Sequence, residues 1–166
     1  AWGAGPLGLR TLTLTHALGL CVSSLFIEHL PLDGPGRMRL LGRNLVERLV
    51  AVPGESDFSR ISVMLQYRFH LEWLIDVPPE SFDPPPKVQS AVVRLIPKDV
   101  SELNAKSQEK MSQVVQTAFS QRRKMLRNTL KGTLSDAGFA ELGIDPTRRA
   151  EDLAVDDYVR IANYLT

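Results

Sequence analysis

Residues 70–96 read HLEWLIDVPPESFDPPPKVQSAVVRLI, and the division of this stretch decides the fold. Its first eight residues alternate enough for a strand, which Pro78-Pro79 ends. Pro84, Pro85 and Pro86 each fix their own φ, remove a backbone donor and push the preceding residue out of the helical region. Residues 82–86 therefore form a rigid extended segment, and a second strand begins at Val88 and runs to Ile96. Two strands joined in this way make an antiparallel pair. So stiff a lead-in either ends a hairpin cleanly or holds Phe82 at a fixed place in a pocket.

Composition bounds what surrounds this pair. The chain has 166 residues, enough for one ordinary domain or for a small domain plus a piece of another. Its apolar fraction of 43% and charged fraction of 23% are those of a soluble globular protein. Net charge is +1, so affinity for nucleic acid must come from local clusters of Lys and Arg. Cys21 is the only cysteine, which excludes an internal disulfide and fits a reducing cytoplasm. His16, His29 and His70 lie far apart without ligand spacing, so no metal site is expected.

Upstream, LTLTHALGLCVSSLFI (residues 12–27) is the most apolar run, but Thr, His, Ser and Gly interrupt it and it is too short for a membrane span. It reads as a buried helix or strand. In EHLPLDGPGRMRLLGRN (residues 28–44), Pro31, Gly34, Pro35 and Gly36 argue for a loop. Helical spacing then places Leu45, Val46, Leu49 and Val50 together, with Pro53-Gly54 as the stop. DFSRISVMLQYRF reads as a second helix capped by Asp57 or Ser59. After the strand pair, PKDVSELNAKSQEK (residues 97–110) is polar and reads as a flexible linker into an all-helical tail.

The tail contains VVQTAFSQRRKMLRNTLKG (residues 114–132). On one continuous helix, Met111, Val115, Ala118, Phe119, Met125, Leu126 and Leu130 form an apolar face, and Gly132 is the stop. Arg123, Lys124, Arg127 and Lys131 gather opposite. They are either a solvated face or a phosphate-binding stripe that gains from counterion release. The same wheel puts Arg122 amid the apolar face, where a charge needs a partner, with Asp145, Glu151 or Asp152 as candidates. Arg122 is therefore read as structural. A short helix around residues 134–138 and a last one over 154–164 complete a bundle of three or four helices.

FDPPPKVQSAVVRL, AFSQRRKMLRNTL and GIDPTRRAEDLAVDDYVRIAN, in this order and spacing, resemble the C-terminal half of the bacterial small-subunit ribosomal RNA adenine dimethyltransferases. The resemblance covers residues 44–165. It implies an α+β fold: the end of a doubly wound methyltransferase sheet, followed by a small all-helical domain. The expected division is an atypical stretch over 1–43, the end of the catalytic domain over 44–98 and an RNA-binding domain over 99–166. The family methylates the exocyclic amines of two adjacent adenosines with S-adenosylmethionine. The resemblance further implies that the Phe82 ring packs on the extruded adenine, with Pro84 and Pro85 beside it. Arg123, Lys124, Arg127 and Lys131 would face RNA. The implied partner is small-subunit ribosomal RNA or the pre-ribosomal small subunit, met by a cytoplasmic monomer with no membrane attachment.

The family's cofactor turn, ribose carboxylate and amine-accepting motif have no convincing counterpart. Gly3, Gly5 and Gly8 spell G-x-G-x-x-G, but no strand precedes them and Pro6 interrupts the pattern. The expectation is thus a shortened member from a fragmentary or frame-shifted gene, with no nameable catalytic residue. It would neither bind S-adenosylmethionine nor transfer methyl groups. An RNA- or ribosome-docking module without catalysis and a DNA-binding, transcription-associated protein are the alternatives.

Overall fold

The computed structural model describes residues 37–166. The apolar run over 12–27, the glycine pattern of Gly3, Gly5 and Gly8, and His16, Cys21 and His29 lie outside the described residues. Among the described residues, β1 (Arg37–Gly42), β2 (Phe69–Val77) and β3 (Ser90–Pro97) form one antiparallel sheet in the order β1-β3-β2. The expected hairpin is β2 and β3, joined in a register that sets Val77 opposite Ser90 and Glu72 opposite Arg94. A bulge interrupts it between Trp73 and Ile75. β1 is a correction, since residues 37–42 were expected to be loop. It pairs along the other side of β3, with Leu40 opposite Val92 and Gly42 opposite Ser90. β3 enters the ladder at Ser90, two residues later than expected, and Val88 stays exposed.

Alternation along the central strand buries Ala91, Val93 and Leu95, the inner face of the sheet. Helix α1 (Arg43–Val50) packs on β2 and β3 and buries Val46 and Leu49. Of the two expected caps of helix α2 (Arg60–Arg68), Ser59 rather than Asp57 takes the position, and the Ser59 amide donates to Ser62 Oγ at 2.9 Å. It feeds directly into β2.

The long basic helix is two helices. α3 (Gln108–Phe119) is capped by Ser107, and the chain leaves it at Ser120, whose hydroxyl donates to the Thr117 carbonyl at 2.7 Å. After a turn, Met125 is extended and α4 (Leu126–Thr129) begins anew. Continuing the helix would have driven Arg122 into the core, and breaking it avoids that desolvation. Gly132 closes this part with φ of +84°, a conformation other residues adopt only with strain. α5 (Asp136–Glu141) and α6 (Val155–Tyr164) follow.

The hydrophobic core does not stop at residue 98. Phe58, Val63 and Tyr67 from the first part join Met111, Val115, Leu126, Tyr158 and Ile161 of the helical part. The segment expected to be a flexible linker is held from both sides. Ala105 N–H donates to Tyr67 Oη at 3.1 Å, and Lys106 N–H donates to Asn163 Oδ1 at 2.7 Å. Asn163 Nδ2 returns a bond to the Asn104 carbonyl at 2.9 Å. Polar sequence reads as flexible only while its backbone has no partners, and here Tyr67 and Asn163 supply them. Among the described residues no helix is long and apolar enough to cross a membrane, and no group of His, Cys, Asp and Glu is arranged to hold a metal ion.

Candidate functional site

Two features hold the residues singled out by the sequence, and the first is the proline-rich connection. Beyond Val77 the chain makes a single 3-10 turn, Pro79–Ser81, closed by Phe82 N–H donating to the Pro79 carbonyl at 3.1 Å. Phe82 is extended and half-buried, and it is not a member of the core cluster. Pro84 and Pro85 are exposed. The connection ends at Gln89, whose carbonyl accepts from Arg43 N–H at 2.9 Å. An aromatic side chain is thus carried on a backbone with few free torsions.

The second feature is cationic. Arg123 and Lys124 lie in the turn after α3, closed by Lys124 N–H donating to the Gln121 carbonyl at 2.8 Å. Arg127 stands on α4 and Lys131 just after it, and all four are exposed. They occupy a turn and a short helix, not a single helical stripe. Among the described residues no carboxylate forms an ion pair with any of the four.

Arg148 and Arg149 join this surface, and periodicity gave no sign of them. Met125 and Arg149 form an isolated antiparallel bridge; Leu126 N–H donates to the Arg148 carbonyl at 2.8 Å and Arg127 N–H to the Pro146 carbonyl at 3.1 Å. The segment 146–149 therefore lies along 125–127. Asp145 shapes its start by accepting from Thr147 N–H at 2.8 Å and Thr147 Oγ1 at 2.7 Å. Those bonds hold the Asp145 carboxyl below its ordinary range. Met125, placed on the core face by the helical wheel, is instead 39% exposed.

Arg122 finds one of its expected partners for a different reason. Its Nε lies 2.6 Å from Glu151 Oε2, and its guanidinium also donates to the carbonyls of Ser56 and Phe58. The side chain is 44% exposed, so it ties a turn to a loop across the surface rather than entering the core. The loss on Arg122→Ala is accordingly smaller than for a buried charge: about 1–2 kcal/mol of unfolding free energy, as for hydrogen bonds to charged groups at partly exposed sites. Lys124→Ala should stay within roughly 0.5 kcal/mol. Equal losses in urea unfolding would show that the Ser56, Phe58 and Glu151 contacts carry no stability.

Tyr158 ties these segments together. It is fully buried; its hydroxyl donates to the Ala150 carbonyl at 2.6 Å, and its ring stacks on Phe119 with centroids 6.0 Å apart. Burial, assisted by Asp157 and Asp152, raises its pKa and keeps the phenol a neutral donor.

A family model described as "Ribosomal RNA adenine dimethylase" matches residues 21–166, a longer span than residues 44–165. A protein called "Ribosomal RNA small subunit methyltransferase A" from Dechloromonas aromatica (strain RCB) is 79% identical over 127 residues, 76% of this chain and 50% of that protein. The protein of the same name from Burkholderia pseudomallei (strain 668) is 51% identical over 162 residues, 96% of this chain and 59% of that protein. The chain thus spans 50–59% of the length of these relatives. Of solved structures, a dimethyladenosine transferase from Plasmodium falciparum superposes with a TM-score of 0.66 at 22% identity, over 81% of this chain and 58% of that one. The 23S rRNA methyltransferase ErmE superposes at 0.53 and 18% identity, over 79% and 55%. These structural likenesses bear on the fold alone.

Proposed function

The chain belongs to the ribosomal RNA adenine dimethylase family, and from that premise we propose that its described residues are an RNA-docking surface and one wall of an adenine-receiving site. The observation that carries this reading is the pairing of 146–149 with 125–127, which brings the backbone of Arg148 and Arg149 beside Arg123, Lys124 and Arg127, cations that form no ion pair among the described residues. Clustered cations without carboxylate partners hold phosphates and release their counterions. The partner is small-subunit ribosomal RNA or the pre-ribosomal small subunit, met by a cytoplasmic monomer.

Phe82, flanked by Pro84 and Pro85, is the wall on which the extruded adenine stacks. A base on an aromatic face is worth about 1–3 kcal/mol. The prolines fix the backbone before RNA arrives, so less ordering entropy is lost on docking.

The family uses S-adenosylmethionine as methyl donor. The described residues do not match its binding site: their glycines are Gly42, Gly54, Gly132, Gly138 and Gly143, and no G-x-G-x-x-G turn joins a strand to a helix among them. In fluorescence anisotropy the chain should bind structured small-subunit RNA saturably at low salt and weaken steeply as salt rises. Calorimetry should show no saturable S-adenosylmethionine binding up to millimolar ligand. Equal affinity for duplex DNA would overturn the RNA reading, and labelled methyl on adenosine would overturn the cofactor reading.

A further inference from the structure

The connection bearing Phe82 leaves β2 and enters β3 at the end of the sheet where β1 hands over to α1. Val77 and Gly42 both pair with Ser90 there, and the next residue after Gly42 is Arg43. Its Nη1 donates to Gln89 Oε1 at 3.1 Å, in addition to the backbone bond from its amide to the Gln89 carbonyl. The same nitrogen lies 3.6 Å from Asp76 Oδ2, while Nε donates to Glu47 Oε1 at 3.0 Å. The guanidinium rests over the Trp73 ring, 5.6 Å from its centroid. One side chain therefore grips Asp76, just before the connection, and Gln89, its last residue.

From this geometry we propose that Arg43 is the positioning residue for Phe82, fixing both ends of residues 78–89 and so the place where its ring meets the base. The inference rests on the stacking reading above. Its force comes from the prolines: a clamp on the ends of a flexible loop would leave the middle free, whereas Pro78, Pro79, Pro84, Pro85 and Pro86 carry the restraint inward. Exposed ion pairs add little to stability, so the clamp is better explained by placement than by folding energy. Lysine cannot replace it, because only the planar fork meets Glu47, Asp76 and Gln89 at once while resting over an indole.

The test compares Arg43→Lys, Arg43→Ala, Gln89→Ala and Phe82→Ala in the full chain. Amide exchange at Ser81 and Phe82, whose N–H groups donate to the Pro78 and Pro79 carbonyls, should quicken about fivefold or more in both Arg43 variants through local opening, while exchange in α3 and α6 holds. Affinity for a short adenosine-rich single-stranded RNA should fall about three- to tenfold, in line with partial loss of one stacked base. The salt slope should stay unchanged, and Arg43→Ala should add nothing in a Phe82→Ala background. Should Arg43→Ala lose its fold, Gln89→Ala, which removes only the acceptor at the loop end, must show the same loosening. Unchanged exchange over residues 80–89 overturns the inference, as does a reduced salt slope, which would make Arg43 a phosphate contact. Loosening by Arg43→Lys with no effect of Phe82→Ala on RNA supports the clamp and defeats the stacking reading. Weakening by Phe82→Ala but by neither Arg43 variant does the reverse.

Discussion

Truncating Tyr158 to alanine should lower the free energy of unfolding by about 4 kcal/mol, within the range for large aromatic side chains removed from a core. Tyr158 is among the largest fully buried side chains, and it touches both segments that carry the cations. Phe119, against which it stacks, is the last residue of α3 before the Arg123-Lys124 turn. Ala150, whose carbonyl it satisfies, follows Arg149 directly. The truncation therefore opens a cavity, removes the ring contact and takes from the Ala150 carbonyl its closer donor, leaving it only Leu153 N–H at 3.5 Å. Tyr158→Phe isolates the last of these and should lose about 1–2 kcal/mol. Urea unfolding with an unchanged m-value is the measurement. A loss under 1 kcal/mol for the alanine variant would show that neighbouring side chains close the space, contrary to the behaviour of a close-packed core.

Removing Arg123 and Lys124 together should weaken binding to small-subunit RNA about fiftyfold at 0.1 M salt and reduce the log–log salt slope by nearly 2, since each phosphate contact contributes about 0.9 on duplex nucleic acid. The loss should be uniform across RNA sequences, because phosphate contacts carry no base information. Both residues are exposed and, among the described residues, ion-paired to no carboxylate, so the double variant should melt like the parent. An unchanged salt slope would reduce the cluster to a solvated surface.

What the sequence revealed and what it hid follow from the range of the interactions concerned. The β2–β3 pair is local, punctuated by prolines, and was readable to within two residues. β1 was not, because RMRLLG owes its strand conformation to β3 some fifty residues on, and its flanking glycines and proline look like loop. The break after Phe119 was hidden because the apolar period runs through it. Only the misplacement of Arg122 hinted that the helix could not continue. Arg148 and Arg149 were visible as adjacent cations, but the Met125 bridge that gives them a place is set by the tertiary fold. Arg43 fell in the stretch read as loop, and nothing local marks its grip on Asp76 and Gln89.

The core that continues past residue 98 has a mechanical consequence. α2 shares side chains with the helical part and runs without a break into β2, which leads to the proline-rich connection. If the cations hold phosphates and Phe82 seats a base, as proposed, the shared core would make the distance between the two a gauge of fixed span. An RNA whose adenosines sit at the wrong reach from its docked phosphates would be turned away by length alone, with no base read at all.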